Sequence, residues 1–168
     1  MWRRRGKILY VPTPGTNVRV PVCGAFRYPD GPFLFSHGLK DRHVNTQTFL
    51  NLLDLLVARA ARTGRRIVLV LDHGSTFTSD RALDALARAS MIRVCWLPYY
   101  TSEQLNLIEP VWGHLKDTYF SRMLTTNAND FYPAIVGLLT KLCPVGAFRA
   151  MLRPERLPGG RRYLRMSA

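Results

Sequence analysis

The stretch RRIVLVLD at residues 65–72 decides the fold of this chain. Its unbroken apolar run at 67–71 predicts a β-strand that is buried on both faces, as strands in parallel and mixed sheets are. Asp72 ends this strand, and ligands of open α/β sheets bind at the carboxyl ends of the strands. Because an unpaired charge is costly to bury, Asp72 is expected to be hydrogen-bonded, ion-paired or bound to a metal.

The residues on both sides of this strand predict strands that alternate with helices. Apolar residues recur with helical spacing in the segment before it, and Gly64 fits the end of that helix. Ser79 can cap a helix in the segment after it. The expected strands are 7–11, 18–26, 33–36, 67–71 and 92–97, and the expected helices are 45–62, one starting at Ser79, 106–123 and 130–142. This order predicts an α/β fold, with residues 1–145 in one domain and residues 146–168 as a basic tail.

The charge of the chain indicates a polyanionic partner. Its 168 residues include 24 Lys and Arg but only 11 Asp and Glu, which gives a net charge of +13. Such an excess favours nucleic acid, although the arginine-rich composition of a GC-rich genome would also produce it. The Arg-rich segment 153–165, with Arg161 and Arg162, is either a phosphate-binding arm or an ordinary terminus.

Two further features of the composition indicate a soluble cytoplasmic protein. No stretch reaches the roughly 18 apolar residues of a membrane span, and the basic start is not followed by the long apolar segment of a secretory signal. The cysteines are Cys23, Cys95 and Cys143, and they form no CxxC pair. This odd number and wide spacing predict neither a disulfide framework nor a zinc site.

A second carboxylate, Glu109, is expected at the start of a helix. Asn106 and Glu109 have the spacing of a capping box, and Pro110 is tolerated only in the first turn of a helix. Glu109 therefore either bonds back to the Asn106 amide or, together with Asp72, supplies oxygen ligands to Mg²⁺ or Mn²⁺. Two such ions, about 3.5–4 Å apart, can promote cleavage of a phosphodiester.

Three segments together resemble the DDE superfamily endonucleases, the mariner-like insertion-sequence transposases with an RNase H-like fold. These segments are RRIVLVLD at 65–72, LPYY at 97–100 and LNLIEPVWGHLK at 105–116. The resemblance implies that Asp72 and Glu109 are the second and third catalytic carboxylates and that both bind Mg²⁺ or Mn²⁺. It also implies an RNase H-like mixed sheet flanked by helices, acting on DNA at transposon ends and target sites.

The chain departs from the family pattern at its start. In the family, the first catalytic Asp precedes the segment that begins here at Trp2, so the resemblance implies an N-terminally truncated domain whose first strand is missing. An upstream transposase fragment would then be a partner, and the full-length protein would be a homodimer. No helix-turn-helix domain that could recognise element ends is found.

Four further residues are candidates for contact with DNA. His73 stands where the family often has Asn, and it either orients Asp72 or a phosphate or has a structural role. Lys116 either meets a DNA phosphate or is solvated, while Tyr99 and Tyr100 either line the DNA groove or pack the loop.

Two other functions stay open from the sequence. One is a non-catalytic relic of a transposase that binds DNA through charge alone. The other is a basic RNA-associated protein, which is less well supported because the sequence shows no motif of interleaved aromatic and basic residues.

Overall fold

The computed structural model of the chain describes residues 19–28, 31–38, 43–120, 123 and 128–143. The expected strand at 7–11, the tail at 146–168 and the boundary between the two proposed parts lie outside these residues. The described strands are β1 (Val22–Phe26), β2 (Phe33–His37), β3 (Ile67–Leu71) and β4 (Ile92–Trp96), and the described helices are α1 (Thr46–Thr63), α2 (Ser75–Thr78), α3 (Asp80–Arg88), α4 (Ser102–Leu105), α5 (Ile108–Thr118) and α6 (Ala128–Leu142).

The strands form two small sheets. β1 and β2 are antiparallel, with Val22 opposite His37, while β3 and β4 are parallel, with Leu71 opposite Trp96. The sequence predicted one mixed sheet, but the described strands pair only within these two sheets. The α/β architecture, with helices flanking the sheets, is confirmed.

Helix α1 lies between the two sheets in chain order, and it packs against both of them. The Asn45 side chain accepts a hydrogen bond from the Thr48 N–H at 2.9 Å, and Gly64 ends the helix in the left-handed conformation, with φ of 63°. The ending at Gly64 is the one expected from the sequence, and the cap at Asn45 was not predicted. The buried face carries apolar side chains at the predicted helical spacing, namely Phe49, Leu52, Leu53, Leu56 and Ala60.

Strand β3 is buried on one face only, so the prediction of burial on both faces was wrong for the described structure. Leu69 and Leu71 belong to the core that α1 and α3 cover. Val68 and Val70, which alternate with them, are 64% and 45% exposed. Successive side chains of a strand point to opposite faces, and no described element covers the second face of β3.

A second core cluster joins the β1–β2 hairpin to α5 and α6. Phe33, Val111, Leu115 and Leu139 are fully buried in it. Trp112, Leu115, Tyr119 and Met123 have helical spacing in the sequence, which predicts that they belong to the core. Leu115 confirms this, whereas the other three are half-buried against the cluster.

Gly24 allows α5 to approach the hairpin closely. The Phe33 and Trp112 rings meet edge to face, with centroids 5.5 Å apart and planes at 80°. A Cβ atom at position 24 would lie 2.7 Å from the Phe33 ring and 2.8 Å from the Trp112 ring. Atoms in protein interiors do not approach this closely, so a side chain at position 24 would displace one of the two rings.

The helix expected at 106–123 is shorter in the structure, where α5 ends at Thr118. Helix α4 precedes Asn106, and α5 begins at Ile108, with Leu107 at its N-cap position. The predicted capping box is therefore wrong: the Asn106 side chain accepts a long hydrogen bond from the Ile108 N–H at 3.4 Å, and Pro110 occupies the third helical position without an N–H to donate. The prediction that Pro110 lies in the first turn is confirmed.

The buried thiol of Cys23 makes the fold less stable at alkaline pH. Burial raises the pKa of Cys23 from its ordinary value of 9.0 to about 12. Burial disfavours the thiolate in the folded state. The stability that depends on a protonated Cys23 is therefore fully present below pH 9 and is lost as the pH rises towards 12. The loss is about 1 kcal/mol for each pH unit above the pKa of the unfolded state.

We expect Cys23→Ala to reduce this alkaline loss of stability. Urea unfolding of the wild type at pH 8 and pH 10 measures the loss, and the same pair of measurements on Cys23→Ala shows how much of it remains. The exposed Cys95 supplies the control, since Cys95→Ala should keep the loss of the wild type. An equal loss in the wild type and in Cys23→Ala would contradict the assignment of this effect to Cys23.

Candidate functional site

Asp72 lies at the carboxyl end of β3, as the sequence predicted. Its side chain is half-buried, and its Oδ1 accepts a hydrogen bond from the Gly74 N–H at 3.0 Å. A Cβ atom on residue 74 would lie 3.1 Å from the same oxygen, so glycine leaves room for the carboxylate. Within the described residues Asp72 makes no other hydrogen bond, which leaves Oδ2 available to a ligand.

The parallel pairing of β3 with β4 places two loops beside each other. The Leu97 N–H donates to the Leu71 carbonyl oxygen at 2.8 Å and extends the pairing past the end of β4. The loop after β4 therefore passes next to Asp72. The two loops and the start of α4 surround an open pocket of about 290 Å³, which is lined by Asp72, His73, Gly74, Pro98, Tyr99, Tyr100 and Ser102.

Aromatic rings form most of one side of this pocket. The His73 imidazole stacks against Tyr99, with centroids 3.9 Å apart and planes at 16°, and against Trp96, with centroids 5.2 Å apart and planes at 21°. Tyr99 is 67% exposed, and Tyr100 is fully exposed with a left-handed φ of 62°. The described contacts of His73 are with rings, while its expected role in orienting Asp72 or a phosphate stays a prediction.

Glu109 does not line the pocket that contains Asp72. It is exposed in the first turn of α5, and its backbone N–H donates to the Asn106 carbonyl oxygen at 3.1 Å. Among the described residues, no three His, Cys, Asp or Glu side chains are grouped as metal ligands. The structure therefore places the two predicted ligands at the predicted strand end and helix start, but it does not join them into one described cluster.

The donor chemistry of these two carboxylates nevertheless suits Mg²⁺ or Mn²⁺. Both ions prefer carboxylate oxygen and water, and both side chains are at least partly open to solvent. The Glu109 carboxylate takes part in no hydrogen bond or ion pair with another described residue. Asp72 and Glu109 are thus the candidate ligands on this part of the chain.

The remaining DNA-contact candidates fall in three places. Lys116 is exposed in the last turn of α5, and its position seven residues after Glu109 puts both on the same side of the helix. Tyr100 borders the pocket. Arg161 and Arg162 lie outside the described residues.

The sequence indicated His73, Tyr99 and Tyr100 separately as candidates for contact with DNA, but not the aromatic group that their rings form at the pocket. Its rings come from two segments, one after each parallel strand, so no single stretch of sequence contains an aromatic motif. The parallel pairing of residues 67–71 with residues 92–96 could have indicated it, since this register brings residue 73 next to residues 98 and 99.

Comparison with known proteins gives one family match. A family model described as DDE superfamily endonuclease matches residues 1–130, a region that includes Asp72, Glu109 and Lys116. No curated protein matches the chain. In the part of the chain that the structure describes, no helix has the length and apolar character needed to cross a membrane.

Proposed function

Since the chain belongs to the DDE superfamily endonuclease family, we propose that it is a transposase domain that cleaves and joins DNA at transposon ends. We place it with the mariner-like insertion-sequence transposases, on the segments at 65–72, 97–100 and 105–116. The observation that carries the proposal is Asp72, a carboxylate with an available oxygen in an open pocket at the carboxyl end of a parallel strand. DNA is the substrate class that the family implies.

The chain's own residues have separable tasks in this reaction. Asp72 and Glu109 would hold Mg²⁺ or Mn²⁺, which when bound would supply activation of the attacking water or 3′-hydroxyl and stabilisation of the leaving oxygen. The Gly74 N–H fixes one oxygen of Asp72, which limits the positions of the other. Lys116, on the same side of α5 as Glu109, neutralises a phosphate of the substrate, and the net charge of +13 attracts the DNA.

The finer features of the proposal follow from the resemblance. The first catalytic carboxylate of the family is assigned to no described residue, and Asp54 is unsuitable because it lies exposed on α1. We propose that the protein acts as a homodimer in the cytoplasm.

One observation favours a second candidate function. The described residues contain no cluster of three metal ligands, while the whole chain carries a charge of +13. A non-catalytic relic of a transposase, which binds DNA through its charge, would have both properties. Such a protein would bind without sequence preference, and its affinity would fall steeply with salt.

A nicking assay separates the two candidates. The chain is incubated with supercoiled plasmid in Mg²⁺ or Mn²⁺ and, as a control, in EDTA, and binding to a labelled duplex is measured at 50 and 200 mM salt. We expect nicked plasmid with metal and none with EDTA. Binding that weakens by more than about tenfold with salt, without nicking at any metal concentration, would instead support the relic.

A further inference from the structure

We propose that the aromatic rings beside Asp72 bind an unpaired nucleobase, so that the DNA at this site is single-stranded or frayed. The inference rests on the proposed function, since it names the form of DNA that the same site takes. Four observations support it: the ring stack, the backbone of Tyr100, the shape of the pocket and the position of Asp72.

The ring stack ends in an exposed ring. The His73 ring stacks nearly parallel to the ring of Trp96 and to that of Tyr99, and the Tyr99 side chain is 67% exposed. Tyr100 follows at a centroid distance of 6.4 Å from Tyr99, with the planes at 47°. Nucleobases stack on aromatic rings that proteins present in this way, and every base has the flat face that this contact needs.

The backbone of Tyr100 supports a binding role for its side chain. Its φ of 62° lies in the left-handed region, which bulky residues rarely adopt. The ring is fully exposed, so packing within the described chain does not account for this conformation. Residues held in such conformations are concentrated at binding and catalytic sites.

The pocket suits one ring system better than a duplex. Its volume of about 290 Å³ is near the lower limit of roughly 300 Å³ for small-molecule sites. Asp72 lines the same pocket as Tyr99 and Tyr100. A base stacked on these rings therefore brings its own phosphodiester next to Asp72, at a cost of unpairing that is smallest at a frayed end.

The test measures binding without cleavage. Wild-type chain in EDTA is titrated into a fluorescently labelled single strand and into a blunt duplex of the same sequence. The variants are Tyr99→Ala, which removes the ring, Tyr99→Phe, which keeps it, and Tyr100→Gly, which removes the ring but retains the left-handed backbone. Tyr28→Ala is the matched control, since Tyr28 is an exposed tyrosine just after β1 and outside the pocket.

The inference predicts a specific pattern. Tyr99→Ala and Tyr100→Gly should each weaken single-strand binding on the order of tenfold, with little change in duplex binding. Tyr99→Phe and Tyr28→Ala should bind the single strand as the wild type does. In addition, 2-aminopurine placed at the end of the strand should be quenched on binding by the wild type but not by Tyr99→Ala.

The other outcomes separate the two proposals. If Tyr99→Ala and Tyr100→Gly bind the single strand as tightly as the wild type, or lose single-strand and duplex binding equally, the inference is wrong. Nicking of plasmid with metal could then still support the proposed function. If the wild-type chain binds neither form of DNA, the proposed function fails together with the inference.

Discussion

Asp72→Asn is expected to lower metal-dependent DNA cleavage by at least about 100-fold, because even groups that only orient a metal ligand contribute about 10–100-fold. The substitution removes the negative charge but keeps the shape of the side chain. The amide oxygen can still accept the hydrogen bond from the Gly74 N–H. The variant should therefore fold as the wild type does, and the loss would report on metal binding alone.

Mn²⁺ affinity provides the second readout for this variant. Calorimetric titration should show weaker Mn²⁺ binding by Asp72→Asn, while Asp54→Asn, a change at an exposed carboxylate on α1, should match the wild type. Equal Mn²⁺ affinity in Asp72→Asn and the wild type would remove Asp72 from the site. Glu109→Gln extends the same comparison to the second carboxylate.

Phe33→Ala is expected to lower the free energy of unfolding by about 3–5 kcal/mol, the usual cost of removing a buried phenylalanine ring. Phe33 is fully buried between the hairpin and α5, and its ring meets the edge of Trp112. Small domains are stable by only about 5–15 kcal/mol, so this loss is a large share of the total stability.

Urea unfolding followed by tryptophan fluorescence measures this effect. Phe33→Leu, which fills part of the space, should show a smaller loss of stability. Tyr28→Ala, a change at an exposed ring on the same hairpin, should leave the unfolding midpoint within experimental error. If Phe33→Ala unfolds at the same urea concentration as the wild type, α5 is not held to the hairpin through this ring.

Local signals in the sequence were sufficient to predict α1 and to predict where β2, β3 and β4 lie along the chain. The glycine at position 64 and the apolar period that precedes it both depend on residues within one helix. Each of these signals acts over a few residues, so it can be interpreted without knowing what else packs nearby.

Features that depend on neighbours in space were predicted less well. The apolar run of β3 indicated two buried faces, but burial of Val68 and Val70 requires an element that no described residue supplies. The division between α4 and α5 follows from the backbone at Asn106, where ψ of 100° interrupts the helix. The expected helix began at Asn106 and did not include α4, whose four residues are too few to show a helical period.

The candidate site shows the same contrast. Asp72 could be assigned from its position after an apolar strand, and its role stays a prediction supported by the family match. Glu109 could be placed at a helix start, but how close it lies to Asp72 depends on how α5 packs, which spacing in the sequence does not determine. His73, Tyr99 and Tyr100 could be named singly, but their grouping was not predicted because two loops, distant in sequence, contribute to it.

The absence of a side chain at Gly24 restricts how related sequences can vary. Position 24, Phe33 and Trp112 share one volume, so a residue larger than glycine at position 24 needs a smaller ring at one of the other two positions. Substitutions at these three positions are therefore not independent, and a change that is harmful alone becomes acceptable with a second one. Relatives that carry alanine or serine at position 24 should thus differ from this chain at position 33 or 112 as well.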